Sequence, residues 1–352
     1  MNHDNRILIR GTNWIGDSVM SLAALRELRR LFPHHHLALL VRPWVSGLFE
    51  KQEVVDEIVQ LEATPSTLRL LIHLPRKIRH FDTAVLFQNA FQAALITRLA
   101  GIPERIGYNT DGRALLLTRR ARPRIKELQR HQIYYYLDLL YQTGLSPVDY
   151  LNDPHFKPDI HLTPTEEGVR QARQLLQKAG VADHRPLILI NPGAYYGSAK
   201  RWFTDRYAAL ADRLVKEDNA AVLLIGSAGE VPIAKEIQRL MKQRLTSLTG
   251  QTDLPTLIGL LSQCDLLLTN DSGPMHLAAA LDTPQIALLG STDEVATGPF
   301  SPRAQVIHKH VECSPCLLRE CPIDLRCFSR ISVDEVYESA RTILQTSHLS
   351  GS

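Results

Sequence analysis

Short apolar runs alternate along the chain with longer stretches in which apolar residues recur every three or four positions. Ile7, Leu8 and Ile9 begin the pattern, and Leu22, Leu25, Leu28 and Leu31 then recur on one face of a predicted helix over Ser18–Leu31. His36–Val41 reads as a second strand, Val54–Leu61 as a weaker one, and Ser66–Arg79 as a helix that Pro75 should kink or end. Phe81–Phe87 is a further strand, followed by a helix from about Phe91 to Ala100. Arg105–His131 has little periodicity, and helix returns over His131–Gly144. Ser146–Pro164 carries four prolines and no period, which marks a domain boundary.

The alternation then restarts. After a helix over Thr165–Ala179, strands are predicted at Pro186–Ile190, Ala221–Ile225, Asp265–Leu268 and Gln285–Leu289. Helices fall at Thr204–Lys216, Glu230–Met241, Leu254–Ser262 and Pro274–Leu281, and a last one at Val333–Leu344. Strands alternating with helices of about ten residues or more imply βαβ units and parallel sheets. The expected class is therefore α/β, with two doubly wound parallel-sheet domains whose strand ends face a cleft. We place the first domain at 1–160, the second at 161–332, and a C-terminal helix and tail at 333–352.

Composition narrows the picture. A chain of 352 residues with 44% apolar content supports two ordinary cores, and a net charge of +3 is too small to point to nucleic acid. No signal peptide and no bilayer-length apolar run stand out, so a cytoplasmic protein is expected. The charge is uneven: residues 104–130 hold eight basic against three acidic side chains, a local +5. Stacking aromatics are scarce there, which argues against a nucleic-acid module.

Candidate chemistry sits where strands end. The first strand runs into a loop bracketed by Gly11 and Gly16, and Asp17 stands at the mouth of the following helix. It is a candidate functional carboxylate, with helix capping as the alternative. In LLLTNDSGPMHLAAA a buried strand leads to Asp271, Ser272 and Gly273, a helix opens with Pro274, and His276 follows. Free N–H groups with a helix dipole behind them make an anion site there, suited to a diphosphate. NPGAYYGSAKRW follows another buried strand: Gly193 and Gly197 permit close backbone approach, and Lys200 offers a point charge to a phosphate leaving group. GSAGE follows a third strand, and Glu230 is a candidate for ribose hydroxyls or for helix capping. There is no GxxxxGK[ST], GxGxxG, GxSxG or HExxH motif, and no Asp-x-Asp to hold a divalent ion against a diphosphate. Cys313, Cys316, Cys321 and Cys327 open with a zinc-like C-x2-C spacing, but the later gaps favour an unmetallated loop packed near the pocket.

Together, GTNWIGD, NPGAYYGSAKRW, GSAGE and TNDSGPMHLAAA resemble the ADP-heptose:lipopolysaccharide heptosyltransferases of glycosyltransferase family 9, most of all the branch that adds the second heptose. The resemblance runs through nearly the whole chain in the family's order. It implies a GT-B fold, with an acceptor-binding N-terminal and a nucleotide-sugar-binding C-terminal Rossmann-like domain. It implies inverting, metal-independent transfer from ADP-heptose to a lipid-anchored inner core, with no cofactor and peripheral contact with the inner membrane. The family's catalytic aspartate falls on Asp17, its diphosphate lysine on Lys200 and its donor aspartate on Asp271, with His276, Ser272, Gly273, Thr269, Gly193 and Glu230 completing the donor set. Arg10, Asn89, Arg105, Arg113 and His131 are the acceptor-side candidates. Addition of the first or third heptose, another family 9 activity, and a catalytically silent nucleotide-binding protein are the alternatives.

Overall fold

The computed structural model describes residues 6–61, 67–181 and 185–349; the expected helix start at Ser66 lies outside them. The chain divides between His161 and Leu162 into two compact units.

The first unit is built on β1 (Arg6–Arg10), β2 (His36–Val41), β3 (Glu57–Gln60), β4 (Thr83–Leu86), β5 (Glu104–Tyr108) and β6 (Arg119–Ala121), in the sheet order β3-β2-β1-β4-β5-β6. All of its pairings are parallel, with Ile9 set against Leu39 on one side and Val85 on the other. The second unit holds β7 (Leu187–Asn191), β8 (Ala221–Leu224), β9 (Thr246–Ser247), β10 (Leu266–Asn270), β11 (Gln285–Leu289) and β12 (Ala304–His308), in the order β12-β11-β10-β7-β8-β9. These pairings are parallel as well. Central strands covered by helices on both faces must be apolar along their whole length. Leu8, Ile9, Leu37 and Leu39 in one sheet, and Ile188, Leu189, Leu266 and Leu267 in the other, are accordingly buried completely.

Numbered within its own unit, each sheet runs 3-2-1-4-5-6, the order of the dinucleotide-binding fold. In such sheets ligands bind beyond the carboxyl ends of the strands, where the order reverses. That point is the β1/β4 pair in the first unit and the β7/β10 pair in the second. Helix Val333–Leu349 supplies Val336, Tyr337, Ala340 and Leu344 to the core of the second unit, beside Leu210, Leu266 and Phe328.

Details differ from the sequence reading, and β9 and β12 fall where it placed no strand. The stretch expected to lack regular structure holds β5 and β6, short strands whose charged side chains hide any apolar period. The helix expected over Ser18–Leu31 is two, α1 (Ile15–Met20) and α2 (Leu22–Leu31). They part at Ser21, whose hydroxyl donates to the Ser18 carbonyl at 2.8 Å, the local bonding by which serine competes with helix. Helix Thr67–Ile78 continues three residues past Pro75.

Candidate active site

The first unit gathers polar side chains beyond β1 and β4. Trp14 occupies the N-cap position of α1 and its side chain does not cap the helix, so Asp17 lies inside the first turn rather than at the cap position. The Tyr136 hydroxyl is hydrogen-bonded to Asp17. Complete burial, and then the Asp17 charge, push this phenol well above its ordinary range, so it stays protonated and donates to the carboxylate. Thr12 and Ser18 share a hydroxyl–hydroxyl hydrogen bond of 2.9 Å beneath the same turn.

Asn89 follows β4. Its amide donates to the Tyr135 hydroxyl at 2.6 Å, and its carbonyl oxygen accepts from Arg113 Nη2 at 2.7 Å. Arg113 is wholly buried and also donates to the carbonyls of Tyr108, at 2.8 Å, and Gln88. Burial lowers its guanidinium from the usual value. Arg10 is buried too, donating to the carbonyls of Gly11 and Leu40 and to Asn13 Oδ1. Burial first, and the nearby Arg42 second, push it down to about 9, which leaves it charged at neutral pH.

Of the acceptor-side candidates, Arg10, Asn89 and Arg113 therefore sit at this strand end. His131 stands just before helix Ile133–Gln142, its Nδ1 accepting from the Ile133 N–H at 3.2 Å; that helix carries Tyr135 and Tyr136. Arg105 is not brought there. It lies near the amino end of β5, and its guanidinium donates to the carbonyls of Ile102, Pro103 and Leu116. Tyr135 and Tyr136 are not among the candidates that the sequence suggests. Four tyrosines in one ten-residue helix, two of them buried, are the available signal, because buried hydroxyls need partners.

In the second unit the loops after β7 and β10 are laced together. Asn191 Nδ2 donates to Thr269 Oγ1 at 3.2 Å and to Ser272 Oγ at 2.8 Å. Asn270 Nδ2 donates to the Pro192 carbonyl at 2.8 Å, and Asn270 Oδ1 accepts from the Trp202 N–H and the Tyr207 hydroxyl. Lys200 Nζ donates to Asp271 Oδ2 at 2.7 Å, an ion pair with both side chains largely buried. The ammonium also lies 5.0 Å from the centre of the Tyr196 ring. Helix Gly273–Ala280 opens beside this pair, with Ser272 as N-cap, Pro274 in the first turn and His276 buried.

Glu230 bridges the ends of β7 and β8. Its Oε2 accepts from the Ser227 N–H at 2.7 Å and hydroxyl at 2.9 Å, closing a capping box. Its Oε1 fills the space where a side chain at Gly193 would stand, 1.7 Å from the position of a Cβ. Gly197 is constrained in the same way: a Cβ there would lie 2.1 Å from the Arg319 carbonyl oxygen. The cysteine-rich segment thus packs on the Lys200 loop, and its contacts include Ala199 N–H to Arg319 O at 3.0 Å and Tyr196 hydroxyl to Leu317 O at 2.9 Å. All five cysteines are free thiols.

The family model for glycosyltransferase family 9 (heptosyltransferase) matches residues 72–326. The chain belongs to glycosyltransferase family 9. Among members of family 9, the lipopolysaccharide heptosyltransferase 2 of Salmonella typhimurium is 32% identical over 312 residues, covering 86% of this chain and 87% of its own. The solved structure of E. coli ADP-heptose lps heptosyltransferase II superposes with a TM-score of 0.81 at 28% identity, covering 97% of this chain and 99% of that one. A family 9 protein from Veillonella parvula gives 0.83 at 22% identity, covering 98% and 99%, and shares the fold. The architecture is GT-B and the protein is a glycosyltransferase.

Proposed function

We propose that this glycosyltransferase moves heptose from ADP-heptose to the inner core of lipopolysaccharide, adding the second heptose to the first, with inversion and without a metal at the diphosphate. The observation that carries the reading is the Lys200–Asp271 pair beside the start of helix Gly273–Ala280, in a chain this similar to heptosyltransferase 2 proteins.

Asp17, held by the Tyr136 hydroxyl, takes the proton of the acceptor hydroxyl as that oxygen attacks the anomeric carbon. The bond from that carbon to the diphosphate oxygen breaks, its electron pair leaves with ADP, and the sugar passes through an oxocarbenium-like state. Lys200 and the N–H groups around Ser272, Gly273 and His276 receive the developing charge. Thr269 is placed beneath the diphosphate turn, and Glu230 takes ribose hydroxyls. Arg10, Asn89 and His131 face the anionic acceptor, with Arg113 fixing Asn89. The test is transfer from ADP-heptose to a core acceptor bearing one heptose, with the anomeric configuration and linkage of the product read by NMR. ADP binding without transfer to acceptors bearing no heptose, one heptose or two would favour the silent nucleotide-binding alternative.

Gly193→Ala is expected to drive Glu230 from its place at the strand ends. A hydrogen bond from a ribose hydroxyl to a carboxylate is worth about 1.5 kcal/mol or more, so its loss should lower ADP affinity by at least about tenfold. An unchanged affinity in an ADP titration would remove Glu230 from the nucleotide site.

Among the described residues no helix is long and apolar enough to cross a membrane. The lipid-anchored acceptor then calls for surface contact, and the basic stretch is our candidate. Arg119 is paired with Glu104, and Arg124 with Asp138 and Asp149, so these two are already engaged. Arg120, Arg122 and Lys126 are exposed. Each basic group near an anionic surface is worth about 1 kcal/mol, so neutralising all three should weaken vesicle binding by about a hundredfold at low salt. Undiminished sedimentation with phosphatidylserine vesicles would show that the membrane face lies elsewhere.

A further inference from the structure

A further cluster lies beyond the carboxyl ends of β11 and β12, at the edge of the second sheet. His308 is the last residue of β12, His310 follows it, and their rings lie 4.5 Å apart. Glu294 opens the short helix Glu294–Thr297 and reaches both: its Oε2 is 3.2 Å from His308 Nδ1, and its Oε1 is 3.4 Å from His310 Nε2. One donor atom from each of the three falls within 4.8 Å of the others.

The hydrogen bonds around His308 settle where its proton sits. Ser314 Oγ is 2.6 Å from the Gly290 carbonyl, which can only accept, so the hydroxyl proton points there. Ser314 must then accept from His308 Nε2, 2.9 Å away. A neutral imidazole that donates through Nε2 has a lone pair on Nδ1, and this lone pair faces a carboxylate oxygen. Two acceptors at 3.2 Å repel unless a positive charge lies between them. The second imidazole on the other carboxylate oxygen suits a cation, which can draw on all three groups together, better than a proton.

We propose that Glu294, His308 and His310 bind a divalent transition-metal cation of the zinc class. Two imidazole nitrogens and a carboxylate oxygen are borderline ligands of the kind zinc takes. Ligands ~2.0–2.1 Å from a tetrahedral ion lie ~3.3–3.4 Å apart; the two imidazole nitrogens lie 3.2 and 3.4 Å from the two oxygens of Glu294. The His308–Ser314–Gly290 relay is the outer support that fixes the tautomer of a metal-bound histidine. His308 is 4% exposed, whereas Glu294 at 33% and His310 at 73% leave an entry for the ion and room for water to complete its shell. Such an ion ties the end of β12 to the segment after β11. Through Ser314 it also anchors the cysteine-rich segment, where the Leu317 N–H donates to the Ser291 carbonyl at 2.8 Å. It is a structural ion and takes no part in the transfer.

The test uses the full chain, stripped with a chelator and dialysed, then titrated with Zn²⁺ against a chromophoric competitor and, separately, with Co²⁺. One equivalent per chain is expected, with Co²⁺ showing ligand-field bands and no sulfur-to-metal charge transfer. Glu294→Gln and His310→Ala, at partly and largely exposed positions, should each weaken Zn²⁺ binding by at least about tenfold. They should also reduce the rise in thermal midpoint that a fixed concentration of Zn²⁺ gives the parent. A Cys313→Ser, Cys316→Ser, Cys321→Ser triple variant should bind as the parent does. Absence of binding would mean that a protonated imidazole holds the cluster, and would overturn the proposal. So would binding indifferent to Glu294 and His310, or binding lost in the cysteine variant.

Discussion

Replacing Asp17 by Asn is expected to lower turnover by about 10²–10⁴-fold, the usual worth of a positioned general base, while ADP affinity stays unchanged. Asn keeps the size of the side chain and an oxygen that can accept from the Tyr136 hydroxyl, so the turn loses its base and little else. The residues we assign to ADP all lie in the second unit, and the substitution lies in the first. Single-turnover assays beside ADP titrations separate the two effects. Near-parental turnover would return Asp17 to a purely structural role at the start of α1.

Lys200→Ala should cost about 10²–10³ in kcat/KM for ADP-heptose, as expected when a preorganised charge is taken from a leaving group. It has a second consequence. Asp271 is 6% exposed and pairs with Lys200, so the substitution leaves a buried carboxylate without its cation, at a cost of about 3–5 kcal/mol. The double variant Lys200→Ala, Asp271→Asn tells the roles apart. It should recover thermal stability and remain defective in transfer. Recovery of transfer as well would mean that Lys200 serves only to neutralise Asp271. On our proposal that Lys200 and backbone N–H groups hold the diphosphate, EDTA should leave initial rates unchanged; inhibition reversed by Mg²⁺ would contradict the proposed metal-independent chemistry.

Much of this architecture was legible because buried parallel strands must be apolar throughout. LILI at 187–190 and LLL at 266–268 announce themselves, and the glycine- and proline-marked turns after them point to the strand ends. Of the strands that escaped, β9 has only two residues and β12 is a partly exposed edge strand, while β5 and β6 are short and carry Arg105, Arg119 and Arg120, whose charges read as loop. Nor does the sequence separate the arginines of the basic stretch from one another. In the fold Arg113 is wholly buried, while Arg119 and Arg124 are paired with carboxylates drawn from as far as Asp149. Which arginine is spent inside and which is left outside depends on partners distant in the chain, so no local pattern reveals it. The same holds for Tyr136, whose hydroxyl reaches Asp17 only once the sheet has formed. The grouping of Glu294 with His308 and His310 likewise depends on β11 and β12 lying side by side.

The shared strand order has a consequence for how the molecule comes apart. Asp17 and Asn89 hang from β1 and β4, and Lys200 and Asp271 from β7 and β10, which are the innermost strands of their sheets. Opening in a sheet starts at its rims, here β3 and β6, and β9 and β12, where one side has no neighbour. The short β6 and β9 can fray and re-form many times while the middle of each sheet stays closed. Chemistry of this kind tolerates little drift in its groups, and the residues we propose for it are rooted in the parts of the chain that let go last.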